Sequence, residues 1–355
     1  MPIKENVTVT VIIPCRNEIR HIRKFLDSVM RQGISKMELE ILVADGMSGD
    51  GTREILAEYE RECPALRVID NPQKIVSTGL NAAIREARGE FIIRMDAHTE
   101  YASDYIQTCL QVLQETNAEN VGGPALTRAE GYLAQAIACG FHSRFVSGGA
   151  KFHDSRYEGY VDTVPYGCWK KSTLLRLGLF DEQLYRSQDD ELNLRIRASG
   201  GKIWQSPRIT SWYRPRPKLS SLSRQYFQYG FWKVAVIRKH GKPASWRNLV
   251  PGGSLMTALI LLFGIFSSAL VRSRWWESKF SILLLSLASL YLAVSLFAAF
   301  LVARKNRWRL FPALPLVFAT YHFSYALGFL LALAYQPMAW DRPSYLRKIL
   351  TTITR

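Results

Sequence analysis

Up to about residue 250 the apolar positions recur at short, alternating periods, and beyond it they run together. Residues 7–14 are β-branched and almost continuously apolar, which suits a strand covered on both faces. Over 18–30, Ile19, Ile22, Phe25, Leu26 and Val29 return at helical spacing, and 39–44 resume the strand pattern. The same alternation predicts helix at 51–61, strand at 67–69, helix at 77–87 and strand at 90–95. Strands alternating with helices imply an α/β fold with a mostly parallel sheet, and ligands of such sheets sit beyond the carboxyl ends of the strands. The segments to inspect are therefore 14–18, 45–52 and 96–99, all polar.

Beyond residue 250 the runs 252–271, 280–303 and 311–335 contain no Asp, Glu, Lys or Arg. Each is close to or longer than the roughly 20 residues that cross a bilayer, so about three transmembrane helices are expected. Pro251, Gly252 and Gly253 leave a re-entrant hairpin open for the first run. His322, within the third run, is expected to be hydrogen-bonded between helices and is assigned no role. The predicted domains are 1–220, an interfacial amphipathic segment 221–250, and a membrane region 251–355 ending in a short basic tail with Arg342, Arg347 and Lys348.

The formal net charge of +16 raises nucleic acid as a partner. Its distribution points elsewhere. Arg238, Lys239, Lys242 and Arg247 precede the first apolar run, and Arg304, Lys305, Arg307 and Arg309 separate the second from the third, positions that attract anionic headgroups and favour a cytoplasmic side. Arg272, Arg274 and Lys279 weaken the asymmetry. Membrane lipids are the expected partner, and no nucleic acid. No secretory leader is recognisable, which puts the N-terminal domain in the cytoplasm. The five cysteines are scattered without Cys-x-x-Cys spacing and suit reduced thiols. The turn after the first strand, Pro14-Cys15-Arg16-Asn17-Glu18, lacks the glycine fingerprint of dinucleotide-binding oxidoreductases.

Four segments carry chemistry. Val11-Ile12-Ile13-Pro14-Cys15-Arg16-Asn17-Glu18 and Asp45-Gly46-Met47-Ser48-Gly49-Asp50-Gly51-Thr52 follow the first two predicted strands. Asp96-Ala97-His98 follows another, and at a spacing of two on extended chain both side chains point the same way and can share a cation. Gln188-Asp189-Asp190-Glu191-Leu192-Asn193-Leu194-Arg195-Ile196-Arg197 opens a helix on which Asp189 shares a face with Leu192 and Ile196. An acidic first turn also suits the helix dipole, which accounts for Asp190 and Glu191.

Over roughly residues 7–232 these segments resemble glycosyltransferase family 2, whose donor domain has the nucleotide-binding fold called GT-A. The resemblance implies that Asp45 accepts a hydrogen bond from the nucleotide base, with Pro14, Arg16, Glu18, Asp50, Asn81 and Asp96 also on the nucleotide-sugar. Asp50 serves equally well as a helix N-cap. Asp96-Ala97-His98 stands where the family has Asp-x-Asp, and implies a divalent cation on Asp96 and His98. The imidazole in place of the second carboxylate favours manganese over magnesium, although His98 has a phosphate contact or the orienting of Asp96 as alternative uses. Aligned on Leu192, Asp189 takes the catalytic-base position and Gln188 replaces a glutamate.

On the acceptor side the resemblance places Gly167 and Trp169, from Pro165-Tyr166-Gly167-Cys168-Trp169-Lys170, together with Gln188, Gln228 and Trp232. Trp169 suits the core as well as a sugar face. Gln228-Tyr229-Gly230-Phe231-Trp232 lacks the arginine of polymerising members, which speaks against sustained chain growth. Within the family the layout resembles enzymes of succinoglycan-type exopolysaccharide assembly. That implies an inverting transfer from a UDP-sugar, glucose first, to a polyprenyl-diphosphate-linked saccharide at the bacterial inner membrane, within a glycan assembly complex. The alternatives are a polyprenyl-phosphate glycosyltransferase, a processive synthase, or a scaffold subunit without activity.

Overall fold

The computed structural model describes residues 8–33 and 38–339, the side chains of 336–339 excepted; the basic tail lies outside them. In chain order the first elements are β1 (Val9–Cys15), α1 (Ile22–Met30), β2 (Leu39–Asp45), α2 (Thr52–Glu62), β3 (Leu66–Asp70), α3 (Val76–Glu86) and β4 (Phe91–Arg94). There follow β5 (Glu100–Tyr101), α4 (Tyr105–Thr116), β6 (Asn120–Gly122), β7 (Leu126–Thr127), α5 (Tyr132–Phe141) and α6 (Arg144–Ser147). Then come β8 (Gly159–Tyr160), β9 (Cys168–Lys170), α7 (Lys171–Arg176), α8 (Gln188–Ala198), β10 (Ile203–Gln205) and β11 (Ser211–Tyr213). Four long helices complete the described chain: α9 (Leu219–His240), α10 (Val250–Leu270), α11 (Arg274–Lys305) and α12 (Leu314–Ala339).

Contacts divide the chain into two compact units, Met1–Arg128 with Lys151–Arg214, and Ala129–Ala150 with Pro215–Arg355. The first is the α/β unit. Its main sheet has the order β3-β2-β1-β4-β9-β6-β10-β8, and β5, β11 and β7 make a small second sheet. The block β3-β2-β1-β4 is parallel throughout, whereas β9 runs antiparallel to both β4 and β6. This is the mostly parallel, GT-A-like architecture. Strand parity explains the two-sided apolar run of β1. Val9, Val11 and Ile13 enter one core layer with Phe25, Leu26 and Ile106, while Ile12 enters the other with Leu80, Trp169 and Leu192. Full burial of each such side chain contributes roughly 1.5–3 kcal/mol, so a polar residue at any of them would break the block.

That register also sets the site. Cys15 pairs with Asp45 and Asp45 with Asp70, so β1, β2 and β3 end level with one another. On β4, Ile92 belongs to the layer that contains Leu192 and Ile196 of α8. Arg94, two residues on, has the same parity and comes off the strand on the side that α8 covers.

The second unit is helical. Trp246–Leu270, Arg274–Lys305 and Trp308–Tyr335 are long and apolar enough to cross a membrane. Leu262, Phe263, Phe266, Leu285 and Phe297 are exposed on these helices, which suits contact with lipid. α10 runs unbroken through Gly252 and Gly253, with Pro251 in its first turn, where its missing N–H costs nothing, so a helix forms in place of a hairpin. α9 lies along α12. Gly230 and Gly328 allow this, since a side chain on either would collide with the backbone at Tyr325 or Phe227 of the other helix. The sequence pattern drew residues 1–220 as one domain, whereas α5 and α6 pack with α12 in the helical unit: Ala136 and Ile137 join Val317, Phe318 and Tyr321, and the Tyr321 hydroxyl donates to the Ile137 carbonyl at 3.0 Å. His322 bonds the Tyr291 hydroxyl at 3.1 Å and the Phe145 carbonyl at 3.0 Å, the structural use expected of it.

Candidate active site

The loops after β1 and β2 are tied to each other. The Asn17 amide donates to the Ser48 hydroxyl at 2.8 Å, the Asn17 side chain accepts from the Gly49 amide at 3.1 Å, and the Glu18 amide donates to the Thr52 hydroxyl at 2.9 Å. Asp50 accepts from the amides of Thr52 and Ile19 and from the Thr52 hydroxyl at 2.6 Å, which lowers its carboxyl below the usual range. Asp50 thus serves the loop and the start of α2. Asn17 and Met47 both sit in left-handed backbone at φ 56°, strain of the kind that concentrates at functional loops.

Asp45 is fully buried. Its carboxylate accepts from the Ser48 amide at 3.0 Å, the Ser48 hydroxyl at 2.5 Å and Arg53 at 2.8 Å, and the other arm of Arg53 reaches Asp70 at 2.7 Å. The residue expected at a nucleotide base is thus bonded to its own loop and to Arg53 of α2. Pro14 is half-buried, and Arg16 is exposed with its stem packed over Gly46.

At the end of β4 three side chains converge. Arg94, whose side chain is only 6% exposed, grips both oxygens of Asp96, Nε to Oδ1 at 2.8 Å and Nη2 to Oδ2 at 3.0 Å. Its remaining nitrogen, Nη1, bonds Oδ1 of Asp189. Burial works against the guanidinium charge, but Asp189 and Asp96 more than compensate and hold it protonated. Asp189 stands in the first turn of α8, which follows Ser187, left-handed at φ 61°. Burial pushes the Asp189 carboxyl up to about 6, with Arg94 opposing and Asp96 and Asp190 adding to the rise. Its side chain is still 33% exposed, so it meets solvent from within a charged cluster.

Around them, the Asp96 amide donates to the Tyr101 hydroxyl at 2.7 Å, and Tyr166 bonds Thr99 at 2.7 Å. His98 is exposed, with Nδ1 3.5 Å from Glu18 Oε1. Gly167 has φ 105°, its carbonyl accepts from the Arg94 amide at 3.2 Å, and a side chain there would strike the Trp169 ring. Gln188 is buried.

Residues 10–145 match the sequence profile of glycosyl transferase family 2. The chain is 30% identical over 243 residues to the succinoglycan biosynthesis protein ExoA of Rhizobium meliloti, a match covering 68% of this chain and 73% of that one. The chain belongs to glycosyltransferase family 2. It is also 26% identical over 330 residues, 90% of its length and 95% of the relative's, to the dolichyl N-acetyl-alpha-D-glucosaminyl phosphate 3-beta-D-2,3-diacetamido-2,3-dideoxy-beta-D-glucuronosyltransferase of Methanococcus voltae. In fold it is similar to the mannosyltransferase PcManGT of Pyrobaculum calidifontis, solved with GDP-Man and Mn2+, at a TM-score of 0.57 and 20% identity over 94% of this chain and 88% of that one.

Within this glycosyltransferase, two expected ligand contacts have other placements. Asn81 is buried and bonds the backbone of Phe180 at both N and O and the Glu182 side chain, so it ties α3 to the loop before α8. Trp169, 1% exposed, packs edge-on against Phe180 inside the core and presents no face to a sugar. Gln228 and Trp232 are buried on α9, in the helical unit. The motif reading missed Arg94. Its signal was a lone charge inside the apolar run 91–95 with the parity of Asp96, while its second partner lies 95 residues further along the chain.

Among the described residues no three His, Cys, Asp or Glu side chains form a metal-binding group. Residues 96–99 form a turn closed by the Thr99 amide on the Asp96 carbonyl at 3.0 Å, in place of the extended chain expected to aim Asp96 and His98 the same way. Carboxylate oxygens and an imidazole are still donor types that suit a divalent cation, the rest of whose shell would come from a ligand's phosphates.

Proposed function

We propose that this glycosyltransferase moves a hexose, glucose first among the candidates, from a UDP-sugar to a polyprenyl-diphosphate-linked saccharide at the cytoplasmic face of a bacterial inner membrane. The observation that carries the reading is the junction of Asp96 and Asp189 through one guanidinium at the carboxyl end of β4. The relatives' names support a lipid-linked acceptor: one belongs to succinoglycan biosynthesis and the other is named for a dolichyl-linked sugar phosphate. The three apolar helices suit an acceptor whose lipid stays in the bilayer.

Asp189 is assigned as general base. An acceptor hydroxyl attacks the anomeric carbon from the face opposite the diphosphate and gives its proton to the Asp189 carboxylate. The bond from the anomeric carbon to the diphosphate oxygen breaks, its electron pair leaves with UDP, and the configuration inverts. A carboxyl near 6 is mostly ionised at neutral pH yet more basic than an ordinary aspartate, which is what proton abstraction needs. Asp96 and His98 are assigned to a divalent cation, manganese before magnesium, which when bound neutralises charge on the departing diphosphate. Glu18 orients His98. Asp45 is assigned to the nucleotide end of the site, where it holds Ser48 and Arg53 in shape, and Gly167 and Gln188 shape the acceptor side.

Membranes containing the protein, incubated with radiolabelled nucleotide-sugars and extracted for lipid, test this. Label in a lipid-linked saccharide supports the reading. Label in a lipid monophosphate product assigns the enzyme to lipid charging instead, and no lipid label from any donor rejects both.

A further inference from the structure

We infer that Arg94 is a positioning residue for the transfer, a single guanidinium that locks the donor-side carboxylate of Asp96 and the base Asp189 into one rigid unit. The inference rests on the proposed roles of those two aspartates and goes beyond them, because it makes their mutual geometry the property of a third side chain.

Three features carry it. All three guanidinium nitrogens are committed, Nε and Nη2 to Asp96 and Nη1 to Asp189, so the fork fixes the direction of both carboxylates. The arginine side chain is 6% exposed whereas Asp96 and Asp189 are 14% and 33% exposed, so the cation is the innermost member and the two carboxylates are the more open ones. The backbone under Arg94 is anchored on both sides, through β1 and through the Gly167 carbonyl, and the latter requires the left-handed turn at Tyr166 and Gly167. A lysine cannot substitute. Its ammonium is a point donor on a flexible stem and cannot hold one carboxylate along an edge while reaching another. Without the fork, two carboxylates share a confined space with nothing between them, and each is pushed out of line by the other's charge.

Misplacing a reacting group by about an ångström costs on the order of 100-fold in rate. The test compares Arg94→Met, Arg94→Lys and Arg94→Ala with the wild-type enzyme in lipid, using UDP-glucose or whichever donor labels lipid, and measures kcat, KM and, separately, equilibrium donor binding with manganese. Expected are a loss in kcat of about 100-fold in Arg94→Met and Arg94→Lys with donor binding within about tenfold of wild type, and partial recovery of Arg94→Ala by free guanidinium that is absent from Arg94→Ala/Asp189→Asn. Full activity in Arg94→Met or in Arg94→Lys overturns the inference. So does a joint loss of donor binding and kcat that guanidinium does not relieve, which assigns the residue to holding the fold. If Asp189→Asn is dead and Arg94→Met turns over normally, this inference alone falls. If Asp189→Asn is as active as wild type, the functional reading falls and takes this one with it.

Discussion

Asp45 and Asp96 occupy equivalent places, each at the carboxyl end of a strand in the same parallel block, yet their surroundings differ. Asp45 is sealed from solvent and satisfied by its own loop and Arg53. Asp96 is partly open and shares Arg94 with a second carboxylate from a helix far along the chain. A carboxylate sealed from solvent and bonded only to its loop and the adjoining helix stabilises shape. One that is partly open and joined through an arginine to a second carboxylate is available to a ligand.

The comparison breaks or sharpens first at Asp189. Asp189→Asn should lower transfer by about 100- to 10,000-fold while donor binding stays near wild type, and an unchanged rate in the lipid-label assay would reject the base assignment. Asp96→Ala comes next: it should abolish the manganese dependence of donor binding and cost about 100-fold in rate, and titration calorimetry with and without the metal separates the two effects. The pH profile is smaller and signed. In its proposed role Asp189 works ionised, and burial pushes its carboxyl up to about 6. Transfer should therefore fall about tenfold per unit as pH drops below that point and level off above it, a limb that a stopped-time assay between pH 4.5 and 8 would reveal. Asp45→Ala should do least to the rate and act on stability, by about 1–3 kcal/mol in denaturant unfolding, because it strips partners from the Ser48 amide and hydroxyl. A collapse of kcat with stability intact would instead put Asp45 in the chemistry.

How much of this was legible follows from the distance over which each residue acts. β1 could be read from its own letters, since burial on both faces demands an unbroken apolar run. The strand-end loops were legible because their bonds are short-range and their Gly, Ser, Asp and Thr types favour turns. Asn81 was not, since its partners at Phe180 and Glu182 come near only after folding. Arg94 was illegible for the same reason: alone in a strand it is an expensive buried charge, and only Asp189, far along the chain, makes it affordable. Residues 129–150 looked like an ordinary stretch of the catalytic domain because α5 is too short to register as a span, and its apolar face found α12.

That excursion bears on any attempt to obtain the enzyme without detergent. The catalytic unit is discontinuous in sequence, leaving at Arg128 and returning at Lys151. Ending the chain after Arg214 would keep α5 and strip it of Val317, Phe318 and Tyr321, leaving its apolar face uncovered. Joining Arg128 to Lys151 by a short polar bridge, in addition to the cut, removes the greasy remnant at its root.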